Sequence, residues 1–198
     1  MTHKFLILLS TATLALGACG KHDNASTGGA DTPNATDVNA TASDNGMIAN
    51  SAATAPAPTT AQGFVNAAAA SDRFEIESSK LAQSSASSSA VKKFAAQMIS
   101  AHTASTAKLK STVAGMNPPL KPDDTLASDQ QQTLDSLKGL NGSAFDSAYA
   151  QAQQQAHQKT LNALKTYSAS GDNAALKTFA SGMMPTVTAH LNLAKGLK

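Results

Sequence analysis

The sequence predicts an all-α fold, a four-helix bundle, and three observations carry that prediction. From about Ala61 onward apolar residues recur at helical spacing, with no strand-like alternation. Three of the periodic segments exceed 20 residues, enough for a bundle ~40 Å long at ~1.5 Å per residue. The 198-residue chain has one cysteine, so no disulfide within the chain can hold it and packing must.

Residues 1–18 read as a secretory signal. Lys4 gives a basic start, and the apolar stretch FLILLSTATLALGA is too short to span a bilayer. It leads through Leu16, Gly17 and Ala18 into Cys19, the only cysteine. Small residues before a cysteine resemble a bacterial lipobox, in which the cysteine is lipidated and becomes the first mature residue. The alternative is cleavage at a small residue, leaving Cys19 a free thiol. On the lipobox reading Cys19 anchors the chain to a membrane. Gly20 and Lys21 follow it rather than Asp, which resembles the sorting pattern of an outer-membrane lipoprotein whose folded part faces the periplasm.

Residues 19–60 are a different material, rich in Ala, Ser, Thr, Asn, Gly and Pro and nearly free of large apolar groups. Such a segment cannot bury enough surface to offset its conformational entropy, so it is expected to be a disordered tether with a random-coil span of roughly 35 Å. Lys21 against Asp23, Asp31, Asp37 and Asp44 leaves it net −3, whereas residues 61–198 carry 13 Lys/Arg and 9 Asp/Glu. That mild positive balance has no basic run and no interleaved aromatics, so the sequence offers no nucleic-acid surface.

In residues 61–198 the first helix is expected near 62–85, with Phe64, Ala67, Phe74 and Leu81 toward one side. Ser87 to Ser89 break it and offer N-caps for the second, which runs to a stop at Gly115. MNPPLKPDD cannot be helical, because its three prolines remove donors and disfavour helix at the residues before them. A short helix follows in DTLASDQQQTLDSLKGL, with Asp123 or Asp124 as the expected cap. The third long helix starts after Ser143 and carries Phe145, Tyr149, Ala152, Ala156 and Leu164, and the fourth runs from about Asn173 to Leu197. Pro185 inside the fourth is expected to kink or loosen the turn near Ala180 and Ser181.

Short connections make helices one and two an antiparallel pair, and three and four another. A long crossover carrying the short helix joins the pairs, which is the connectivity of ferritin-like bundles. The blocks EIE (75–77), KFAAQMISAH (93–102), HQKTL (157–161), LKTFA (176–180) and PTVTAHL (185–191) resemble the ferritin-like outer-membrane proteins of domain-of-unknown-function family 4142. The resemblance covers residues 61–198. It implies a periplasm-facing four-helix bundle and leaves the biochemical role open.

The titratable groups fall in a pattern. Glu75 and Glu77 are the only glutamates, both on the first helix, while His102, His157 and His190 lie one each on the second, third and fourth. His102 is central on its apolar face, His190 lies within its stripe, and His157 sits at the edge of its own. Counted from the turns at ~1.5 Å per residue, the five groups span roughly 9 Å of bundle axis. A mid-bundle cluster of three imidazoles and a carboxylate is a reasonable zinc or copper site, with Glu75, Glu77, His102, His157 and His190 as candidate ligands.

The other reading is a metal-free polar core, each histidine neutral and satisfied by a backbone or hydroxyl partner. The Glu-x-x-His pattern of di-iron bundles is absent, since Ile99, Gln154 and Val187 stand three residues before the histidines. Relatives in the resembled family often carry Asp just before the histidine of the second helix. This chain has Ala101, which removes one group that could orient His102. Met98 and Met183 lie one and two turns from His102 and His190, a soft-ligand pattern that also suits core gap-fillers. With no complete acid–base or nucleophile set, the expected function is a non-catalytic envelope module that binds a protein partner or buffers envelope stress. The alternative is a metal-handling bundle.

Overall fold

The computed structural model describes residues 57–197, and the expected signal at residues 1–18, Cys19 and most of the expected tether lie outside them. The described residues form five helices: α1 (Ala61–Ser85), α2 (Ser89–Ala114), α3 (Ser128–Lys138), α4 (Gly142–Ser170) and α5 (Ala174–Lys195). No strand is present among them, and none of these helices is long and apolar enough to cross a membrane.

Local chemistry sets most helix ends. Thr60 caps α1 by accepting from the Gly63 N–H (3.3 Å), and Asn173 caps α5 by accepting from the Leu176 N–H (3.1 Å). Ser88 accepts from the Val91 N–H at the start of α2 (3.4 Å). The short helix corrects the expectation. Asp123 caps a turn instead, its Oδ1 accepting from the Thr125 N–H (2.9 Å) and hydroxyl (2.7 Å). α3 starts only at Ser128, after Ala127, whose N–H donates to the Gln130 side chain (3.0 Å). Gly142, at the start of α4, has φ +62°, where a Cβ would be strained. α5 runs through Pro185, which leaves the Ser181 carbonyl without an i+4 donor, and the helix is not interrupted there.

Residue pairs across the helices fix their directions. Phe64 stacks on Tyr167 (4.1 Å between centroids), the Ser71 and Thr160 hydroxyls are hydrogen-bonded, and those of Ser79 and Tyr149 are too, so α1 and α4 run antiparallel. Asp72 meets His102, and Gln83 donates to the Lys92 carbonyl, making α1 antiparallel to α2. Gln154 donates to the Ala194 carbonyl, setting α5 against α4. Four long helices thus form two antiparallel pairs, joined by a crossover that holds α3.

The core has two apolar clusters. One gathers Phe64, Leu109, Leu164, Tyr167, Phe179 and Val187, with Met183 packed at its margin; the other gathers Val91, Phe94, Met98, Leu137, Phe145 and Tyr149. Both methionines of the soft-ligand pattern therefore contribute to apolar packing. On α1 the sequence stripe is only partly right: Phe64 and Phe74 are buried, Leu81 is half-buried and Ala67 faces solvent. Between the clusters, Asp72, Glu75, Ser78 and Ser79 of α1 face His102 and Ser105 of α2 and Gln153 and His157 of α4, and all are buried. A polar layer thus crosses the middle of an otherwise apolar core.

Candidate metal centre

The layer exists because α1 carries polar residues on its inner stripe. Asp72, Glu75 and Ser79 follow i, i+3, i+7 spacing, one face of a helix. Glu77 stands 200° round from Glu75 and points outward, its side chain 41% exposed and ion-paired with Arg73 at 2.8 Å. Glu77 is therefore removed from the candidate ligands.

The three histidines come together from three helices. Ring centroids lie 5.7 Å apart for His102 and His157, 5.7 Å for His102 and His190, and 5.4 Å for His157 and His190. One ring nitrogen from each lies within 4.8 Å of the other two. His157, expected at the edge of its stripe, is 1% exposed, while His190 is half-buried.

Two of the rings are oriented from behind. His102 Nδ1 donates to Asp72 Oδ1 (2.8 Å), and Asp72 Oδ2 accepts from the Thr106 hydroxyl (3.1 Å). His157 Nδ1 donates to the Gln153 carbonyl (2.8 Å), with Glu75 Oε1 at 3.6 Å from the same nitrogen. With the protons held on Nδ1, both rings offer Nε2 to the interior. Those atoms, His102 Nε2 and His157 Nε2, are buried without a hydrogen-bond partner, and so is His190 Nδ1. Glu75 thus meets His157 on the Nδ1 side rather than at Nε2, and its Oε2 is also buried without a partner.

Asp72 is the residue that sequence reasoning missed. The orienting carboxylate sought next to the histidine, where Ala101 stands, comes instead from α1. The signal was available, because Asp72 precedes Glu75 by three residues on the same helix face.

The electrostatics separate the rings. Burial lowers the His102 pKa, but the Asp72 hydrogen bond and the charges of Glu75 and Asp72 outweigh it, and the net shift is upward. His190 has no such partner. Burial, and then repulsion from His157 and His102, push it down to about 4, so at neutral pH its lone pair is free. The surface cleft beside Gln154, Lys159 and Leu191 and the one beside Arg73, Glu77 and Thr106 are lined by none of the three histidines.

The family model described as Domain of unknown function (DUF4142) matches residues 46–197. The chain belongs to this family. No curated protein matches it in sequence. Among solved structures it is similar to one described as "CopM in the Cu(II)-bound form", with TM-score 0.56 and 15% identity over 69% of this chain and 94% of that one. At that identity the likeness establishes a shared helical-bundle fold.

Proposed function

We propose that the protein is a metal-binding module of the bacterial cell envelope, holding one zinc or copper(II) ion on His102 Nε2, His157 Nε2 and His190 Nδ1. The observation that carries this reading is the set of three buried, unpartnered nitrogens converging from three helices. In a satisfied polar core each would have a donor or acceptor, and leaving one unpaired costs ~1–3 kcal/mol. A single ion meets all three needs at once. Imidazole suits zinc and copper, and a histidine ligand whose other nitrogen is held by a carboxylate or carbonyl is the usual arrangement at such sites. CopM, a protein of similar fold, is copper-bound in its structure, which supports the same reading.

Direct stoichiometry tests it. The purified protein, freed of metal with chelator and dialysed against zinc, is expected to retain one zinc per chain. His102→Ala and His190→Ala are expected to retain none above a buffer control. Equal retention by all three proteins rules the site out.

The bundle is ferritin-like in its connectivity, without the carboxylate set of a di-iron centre, and its role on this reading is to hold or pass on metal rather than to catalyse. We place it at the outer membrane, tethered through a lipid on Cys19 and facing the periplasm. Cys19→Ser is expected to move the protein from the membrane fraction to the soluble one. Retention of that variant in membranes after a high-salt wash contradicts the anchor.

A further inference from the structure

We infer that Asp72 and Glu75 set the charge class of the three-histidine site, matching it to a doubly charged ion over a singly charged one such as Ag(I) or Cu(I). This rests on the metal-binding reading above and concerns what the site selects.

The argument starts from an imbalance. Asp72 is 5% exposed and Glu75 is 1% exposed, two carboxylates inside the bundle. A buried carboxylate normally has a cationic partner, because removing it from water is costly. Among the described residues, no lysine or arginine pairs with either one. Arg73, the only arginine of the sequence, turns outward to Glu77 (2.8 Å) and Asp124 (3.7 Å). The only basic groups paired with them are the imidazoles, Asp72 at 2.8 Å from His102 and Glu75 at 3.6 Å from His157. Glu75 Oε2 has no hydrogen-bond partner at all.

Ligation requires the imidazoles to be neutral, and three neutral imidazoles backed by two carboxylates give the ion a surrounding of formal charge −2. A divalent cation brings that layer to neutrality, whereas a monovalent cation leaves one negative charge buried. The carboxylates do not need to touch the ion. Each sits across an imidazole from it, where the low dielectric of the core keeps the attraction strong. Both are positioning groups in this sense, and they also contribute charge.

The two contributions separate experimentally. Asp72→Asn keeps the shape and a hydrogen-bonding oxygen for His102 while removing the charge, and Glu75→Gln does the same near His157. Zinc and silver(I) dissociation constants are measured by competition titration for the wild type and both variants, with helicity checked by circular dichroism. Each variant is expected to bind zinc 10- to 100-fold more weakly, in the range of second-sphere substitutions. Because the attraction scales with the charge of the ion, silver(I) is expected to lose only about 3- to 10-fold. Should Asp72→Asn lose its helicity, Glu75→Gln carries the comparison alone. Equal losses for zinc and silver, or unchanged zinc affinity in a folded variant, overturn the charge-class inference and leave the site standing. Failure of the wild type to bind either ion overturns the metal-binding reading itself.

Discussion

Asp146→Ala is expected to destabilise the bundle by about 1–3 kcal/mol, although Asp146 lies three turns from His157 on α4 and belongs to no motif. Its buried carboxylate, 5% exposed, accepts from the Ser87 N–H (3.1 Å), the Ser88 N–H (3.0 Å) and the Ser87 hydroxyl. These donors sit in the turn between α1 and α2, where no helix supplies them with acceptors: α1 has ended and α2 begins only at Ser89. The carboxylate also lies at the N-terminus of α2, where the helix dipole favours a negative charge. One side chain of α4 thus closes the α1–α2 hairpin and ties it to the other pair. Alanine leaves the half-buried Ser88 N–H without an acceptor, at ~1–3 kcal/mol, while both donors of the exposed Ser87 turn to water at less. Asp146→Asn keeps one acceptor oxygen and is expected to lose about half as much. Urea unfolding measures this: the midpoint falls and the slope stays unchanged. A loss below about 0.5 kcal/mol in Asp146→Ala contradicts the clip.

The helices were legible in the sequence because their boundaries are chemical. Ser88 and Asn173 cap, the prolines after Gly115 prevent helix, and the apolar periodicity does the rest. The common level of His102, His157 and His190 was legible because a helix rises a fixed distance per residue and the short turns fix direction. Less could be read where two helices must meet. The closure of a turn by Asp146 depends on α4 reaching the α1–α2 corner, which no local pattern encodes. The start of α3 is not legible because Asp123 serves equally as a turn cap and a helix cap, and the Thr125 hydroxyl decides for the turn. The choice between Glu75 and Glu77 was within reach, since residues two apart on a helix face opposite ways. Asp72, three residues before Glu75, completes the same stripe and was legible by the same spacing.

The central claim, that three imidazoles form one metal site, is tested most directly by metal-linked melting of the wild type, His102→Leu and His190→Leu. Anything that binds the folded state alone stabilises it by RT ln(1 + [L]/Kd), about 2.7 kcal/mol at a hundredfold excess over Kd. For a domain of this size that is a rise of roughly 10 °C in Tm. The rise is expected with zinc or copper(II) at pH 7.5, is expected to reverse with chelator, and weakens below about pH 6, where protons compete for the imidazoles. Both leucine variants, whose substitutions lie on different helices, are expected to lose it. Asp146→Ala, far from the site, is expected to start lower and keep the same metal-dependent gain. The account predicts a gain in the wild type and in Asp146→Ala that is absent from both histidine variants; no shift in the wild type, or a shift that survives in His102→Leu and His190→Leu, contradicts it.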